Sequence, residues 1–349
     1  MTSSESCRPD TNLGTHRWKF QQINTLPFGT GSALTAPVMT TAATPLASRL
    51  EVHFGCARRG DTSGALQTAA EAVAGAFGET LPDMAVVITA GGAAAEAARI
   101  VRSAMGPVGI TGAVMPRLLT DSGEIADGAL VIGIANAEGA ASGVAAMSGR
   151  DLSEAAQAAA RMVLSGWPFR ARYPRGIGLA FGRGGAEASA PAFLESWREF
   201  VGPKLRTVCS IGGDGPVYGM SSAASRVSVG CLEAPYSTGL GYADGAGADG
   251  TPTASETLLH GAADATLTAI KRLDGRPARL VLVVETLARR RALGDTARAE
   301  WATIRGQLDE GTPCVGWVCE RVAAYGRGVQ PTSAADTLIV LALGDSPRS

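Results

Sequence analysis

The chain has 349 residues, 46% of them hydrophobic and 18% charged, and its 31 basic and 32 acidic residues leave a formal net charge of −1. A chain of this length can bury a substantial core, and with no long Lys/Arg run it offers no surface that would track a phosphate backbone, so nucleic acid is not an expected partner. No apolar stretch reaches the roughly 18 to 20 residues of a bilayer span and the N-terminus lacks a basic-then-apolar signal, so the expectation is a cytoplasmic protein without membrane insertion.

Residues 1–50 are rich in Ser, Thr, Asn and Pro without a sustained hydrophobic period, and read as a disordered N-terminal extension in which Met39 is an alternative start. From there the pattern becomes regular. LEVHFGCA (50–57) predicts a strand, SGALQTAAEAVAGAFG (63–78) a helix and DMAVVITA (83–90) a buried strand. AAAEAARIVRSAM (93–105) predicts a second helix. GPVGITGAV (106–114) reads as a Gly-Pro turn leading into an edge strand, and an exposed sheet edge near 108–115 offers a surface for a homodimer. DGALVIGIA (127–135) predicts another strand and 152–165 a helix.

The phrase of strand, glycine loop, helix and Gly-Pro step then returns. It recurs over 176–202 with GPVYG (215–219), and over 278–318 with GTPCVG (311–316), before a last strand at 336–344. Three such copies suggest a repeated α/β unit. Residues 221–256 have little periodicity and much Gly, Ser and Thr, and read as a linker or functional loop between two domains, 51–220 and 257–349. The expected fold is therefore α/β, with two related halves of mixed sheet flanked by helices.

Catalytic and metal chemistry find little support in the spacing. Cys314 and Cys319 lie five positions apart, which in a strand sets them roughly 16 Å apart on opposite faces, so neither a disulfide nor a shared ion is expected. The three histidines, 16, 53 and 260, have no metal-ligand spacing, although His53 or His260 would suffice as the single axial ligand of a haem. GMSSA (219–223) lacks the second glycine of a nucleophile elbow. Gly91 and Gly92 do follow a buried strand and precede a helix, where backbone N–H groups could hold an anion. No catalytic residue is singled out, and no resident cofactor or metal is expected unless the haem alternative applies.

The ordered strands, and above all the C-terminal third, resemble the FIST domain family of bacterial sensory proteins. The resemblance rests on VVETLARR with Arg289, EWATIRGQL, Pro313, Gly316 and Trp317, then Asp336 and Thr337 before LIVLAL, and on DMAVVITAGG, GPVGITGAV and DGALVIGIA in the N-terminal half. It covers roughly residues 51–345 and departs from the family at Thr286, Ala288, Arg321 and Val322. It implies a small-molecule-binding sensory domain in signal transduction, with an amino acid or other small carboxylate as ligand and a separate histidine kinase or other signalling partner. A haem-based gas sensor and an enzyme derived from the same fold are the alternatives. The residues expected at the ligand are Arg289, by its planar fork, with Glu285, Thr286, Gly91, Gly92, Trp317 and Glu320.

Overall fold

Alternating inward and outward apolar residues make each predicted βαβ stretch a strand covered by a helix, and the chain builds this unit three times. The computed structural model describes residues 50–345 apart from 59, 95, 137–140, 166–175, 185–187, 203–204, 220–224, 234–235, 246–253 and 327–335. The expected N-terminal extension, with Met39 and His16, lies outside the described residues.

The first unit runs β1 (Leu50–Ala57), α1 (Thr62–Phe77), β2 (Met84–Ala90), α2 (Ala97–Met105), β3 (Gly109–Val114), β4 (Arg117–Thr120), β5 (Gly123–Ile125) and β6 (Gly128–Asn136). The second runs β7 (Ala141–Met147), α3 (Leu152–Ser165), β8 (Gly176–Gly182), α4 (Ala190–Val201), β9 (Leu205–Ile211), β10 (Val217–Tyr218) and β11 (Val227–Glu233). The third runs β12 (Thr238–Ala243), α5 (Ser255–Lys271), β13 (Ala278–Thr286), α6 (Leu287–Leu293), α7 (Ala297–Arg305), β14 (Cys314–Cys319), β15 (Arg321–Tyr325) and β16 (Leu338–Gly344).

Three mixed sheets result, with orders β1-β6-β2-β3-β10, β7-β11-β8-β9-β15 and β12-β16-β13-β14-β4-β5. Within each, the first and last strands of a unit pair antiparallel, the last pairs antiparallel with the central strand, and the central strand runs parallel to its successor. The remaining strands are borrowed. β4, with β5 beside it, leaves the first unit for the third sheet, β10 leaves the second for the first, and β15 leaves the third for the second. The exchange is cyclic, so the units form a closed ring in which each completes its neighbour.

Period-two alternation divides the core accordingly. Met84, Val86 and Ile88 of β2, Ile177, Leu179 and Phe181 of β8, and Leu280, Leu282 and Val284 of β13 turn inward into one shared apolar cluster. The intervening residues, such as Val87, Ala180 and Val283, face outward under the helices of their own unit. Burial on both faces is why the central strands are almost unbroken apolar runs.

The α/β class and the mixed sheets flanked by helices agree with the sequence reading, but the repeat has three units where two halves were expected, and the Gly-Pro step at 215–216 lies between β9 and β10, unlike those before β3 and β14. Two further expectations differ. The 221–256 segment is not a linker throughout, because β11 and β12 fall inside it and belong to different sheets. Two of its glycines are packing residues: a Cβ at Gly239 or Gly241 would collide with the backbone oxygen of Ala269 or Ala265, so α5 lies directly on the β12 backbone. The edge expected near 108–115 is covered as well, since Gly112 and Ala113 pair with Tyr218 and Val217 of β10. No helix among the described residues is long and apolar enough to cross a membrane.

Candidate functional site

Parallel neighbours β2 and β3 end side by side, and crevices beyond the carboxyl ends of such strands are where open α/β sheets take ligands. Here the β2–α2 turn, the β3–β4 crossing and the β9–β10 turn of the second unit enclose a cleft of about 440 Å³ that opens to solvent. Its lining is Gly91, Gly92, Val114, Met115, Pro116, Arg117, Ala126, Gly212 and Gly215.

The glycines are required by the geometry. Gly91 has φ +80° and a Cβ there would stand 2.7 Å from Asp127 Oδ1, while one at Gly215 would stand 2.8 Å from the Val114 Cβ. The turn they form is pinned from below. Thr89 Oγ1 donates to Gly92 O at 2.8 Å, which uses its single proton, so the Tyr218 hydroxyl 2.6 Å away must donate to Thr89. The Tyr218 oxygen in turn accepts from Ala94 N at 3.1 Å, and burial pushes its phenol up. Main-chain bonds from Met115 N to Thr89 O (2.8 Å) and from Val114 N to Pro216 O (3.1 Å) fix the opposite wall.

Among the described residues Arg117 is the one charged side chain in the lining, placed there because Pro116 ends the β3 path and β4 starts toward β14. Its Nε lies 2.7 Å from Glu124 Oε1, and both side chains are partly exposed. Glu124 also reaches inward, with Oε2 2.9 Å from Arg290 Nε. Arg290 Nη1 lies 3.4 Å from Glu285 Oε2, at the end of β13. A line of alternating charges thus runs from the cleft into the protein.

At its inner end Glu285 is 1% exposed and its Oε1 has no hydrogen-bond partner. Burial holds this carboxyl well above the usual carboxylate range, and the nearby Glu300 carboxyl adds to the effect against the opposing pull of Arg290 and Arg289. Arg289 is fully buried. Its Nε and Nη2 lie 2.8 and 2.7 Å from Glu300 Oε1, Nη1 donates to Asp336 O at 3.0 Å, and Nη2 donates to Leu258 O at 2.7 Å.

The residues singled out in the sequence therefore separate into four places. Gly91 and Gly92 line the cleft. Glu285, Thr286 and Arg289 gather at the β13–α6 junction, but the Arg289 fork expected at a ligand is consumed by Glu300 and two carbonyls. Thr286 caps α6 by accepting from Arg289 N at 3.3 Å. Trp317 is in the central core, donating to Ser210 Oγ at 3.0 Å and tilted against Phe181, and Glu320 is exposed in the β14–β15 turn. Arg117 was not singled out, although a Pro-Arg pair directly after an apolar strand marks a charged side chain at a strand exit.

The remaining candidates sit in ordinary surroundings. Cys314 and Cys319 are buried and take opposite faces of β14, one in the outer cluster and one in the central one, and burial pushes the Cys314 thiol up to about 12. His53 Nε2 lies 3.0 Å from Glu51 Oε1 with its ring edge-on to Phe77, and His260 is exposed on α5. No group of three or more His, Cys, Asp or Glu residues that could hold a metal ion occurs among the described residues.

No family model matches the chain, and no curated protein matches it. Among solved structures, a cyanuric acid hydrolase from A. caulinodans superimposes with a TM-score of 0.45 at 11% identity, over 84% of this chain and 99% of that one. Phosphoribosylformylglycinamidine synthase II from Thermotoga maritima gives 0.26 at 10% identity, over 85% and 72%, and PurLQS from the same organism gives 0.23 at 10% identity, over 86% and 74%. All three scores lie below 0.5, and none of these likenesses bears on what the chain does.

Proposed function

We propose that the protein binds a small carboxylate or comparable anion in the cleft beside Arg117, and serves as a sensory domain of the FIST type acting through a separate signalling partner. The observation that carries the binding reading is the composition of the cleft wall. It combines four glycines, one arginine and an apolar floor, and among the described residues no serine, cysteine or histidine side chain lines it, while the Asp127 and Glu124 carboxylates stand beside Gly91 and Arg117. Glycine turns let a ligand approach the backbone closely, and an arginine fork supplies paired donors to a carboxylate.

A ligand that binds only the folded protein raises its melting midpoint by mass action. Titration of the full chain with small dicarboxylates, amino acids, phosphate and nucleotides is expected to raise the midpoint for the small carboxylates, and Arg117→Ala is expected to abolish the rise. The absence of a shift with every compound, or a shift that Arg117→Ala leaves intact, would overturn this assignment.

A further inference from the structure

The cleft arginine is not an isolated cation. Glu124 divides its two oxygens between Arg117, 2.7 Å away, and Arg290, 2.9 Å away, and Arg290 stands between Glu124 and Glu285. With all its members ionised, the set Arg117, Arg289, Arg290 against Glu124, Glu285 and Glu300 is neutral. Adding an anion at Arg117 leaves a surplus negative charge, and the group best placed to absorb it by taking up a proton is the buried carboxyl with a free oxygen.

We propose that anion binding in the cleft is linked to a proton held on Glu285, through the chain Arg117–Glu124–Arg290–Glu285. This rests on the binding reading above and concerns the regulation of the same site. With Glu285 protonated, Arg290 has Glu124 as its carboxylate partner, Glu124 is shared between two arginines, and Arg117 is freer to turn to a ligand. With Glu285 ionised, Arg290 is drawn inward to a second anion, its hold on Glu124 weakens, and Glu124 keeps Arg117 for itself.

The surroundings of Glu285 favour the protonated state. Arg289 and Arg290 face it from α6 and Glu300 from α7, and from β14 the Cys319 thiol donates to its main-chain oxygen at 3.5 Å. β16 sets apolar Leu338 in register beside it. Arg289 is committed to Glu300 and two carbonyls, so its charge is already balanced. That leaves Arg290, at 3.4 Å, as the group opposing the proton, and Arg290 is itself claimed by Glu124. The Glu300 carboxyl, in contrast, offers an acceptor that only the protonated Glu285 can use.

The consequence is directional. Affinity for an anion falls as pH rises through the range in which Glu285 loses its proton, and binding takes protons up. By reciprocity the ligand raises proton affinity by the same factor. Oxalate, which stays fully ionised above neutral and slightly below, is the probe. Calorimetric titration of the full chain, from just above the ordinary carboxylate range up to the highest pH at which it stays folded, in buffers of differing ionisation enthalpy, is expected to show proton uptake and a loss of affinity of at least about fivefold. Glu285→Gln is expected to give a pH-independent affinity, and the partly exposed Glu124→Gln, which cuts the middle of the chain without touching the core, is expected to flatten the profile too. An unchanged pH profile in Glu124→Gln, or a wild-type affinity that is flat with pH, overturns the linkage while leaving the site intact. No oxalate binding at any pH, with loss of the melting response to every carboxylate, overturns the site and the linkage together.

Discussion

Arg289 shows how a side chain that looks like a ligand fork in the sequence becomes a structural one. It is fully buried and satisfied by one carboxylate and two main-chain oxygens, which tie α6 to α7, α5 and the approach to β16. Such a pair adds little net stability over apolar residues of the same shape, yet losing one partner leaves a buried charge alone. Arg289→Met is expected to cost about 3–5 kcal/mol in urea unfolding, and Arg289→Met combined with Glu300→Leu to recover much of that loss. A cost below about 1 kcal/mol for the single change would contradict the account. Glu285 has the opposite character. The fold holds its proton more tightly than the unfolded chain does, so its contribution to stability is full below the unfolded carboxylate range and declines as pH rises toward the folded value. The sequence distinguishes neither role, because both depend on Glu300 of α7, 11 positions from Arg289 and 15 from Glu285.

At the scale of elements, the strands with apolar runs on both faces were legible, as were the helices between them. β2, β8, β13 and β16 all fall where the residue pattern places them. β11 and β12 were not, for a physical reason that leaves a trace in the sequence. In β12 a helix rests on strand backbone, so the strand must carry glycine, and in β11 Gly230 makes room for Met84 and Thr111 of the first sheet; in both, glycine removes the periodic signal that marks a strand. Gly55 against Ala69 of α1, and Gly239 and Gly241 against α5, are the same device in the first and third units. Gly112 against Val87 and Gly316 against Val283 repeat another, between the parallel pair of strands. Gly241→Val is expected to abolish soluble expression or lower stability by more than about 3 kcal/mol, as for overpacking against a backbone that cannot yield. Gly275→Ala, where φ is +75° but no atom stands near the added carbon, is expected to cost only about 1 kcal/mol. Chemical denaturation of the two variants would separate close packing from local backbone strain, and equal costs would contradict the packing argument.

For the whole molecule, the sequence disclosed the repeat but not its closure. A strand-and-helix phrase recurs along the sequence, although it was grouped into two halves, whereas the exchange of β4, β10 and β15 between sheets has no local signature, since each is a short strand whose partner lies in another unit. That exchange creates three comparable junctions, at 114–117, 211–217 and 319–321, and they differ in chemistry. The first brings Arg117 and the glycines of two units together around a cleft, while Glu320 N at the third donates to Ile211 O at 2.8 Å. Binding is therefore assigned to the place where the first two junctions meet, by residue content and not by fold. The most direct measurement is an amide spectrum of the nitrogen-15-labelled full chain during titration with oxalate. Shifts confined to Gly91, Gly92, Gly212, Gly215 and the Arg117 segment are the expected result, and shifts centred on the Glu320 turn or on the Arg289 cluster, or none at all, would contradict it.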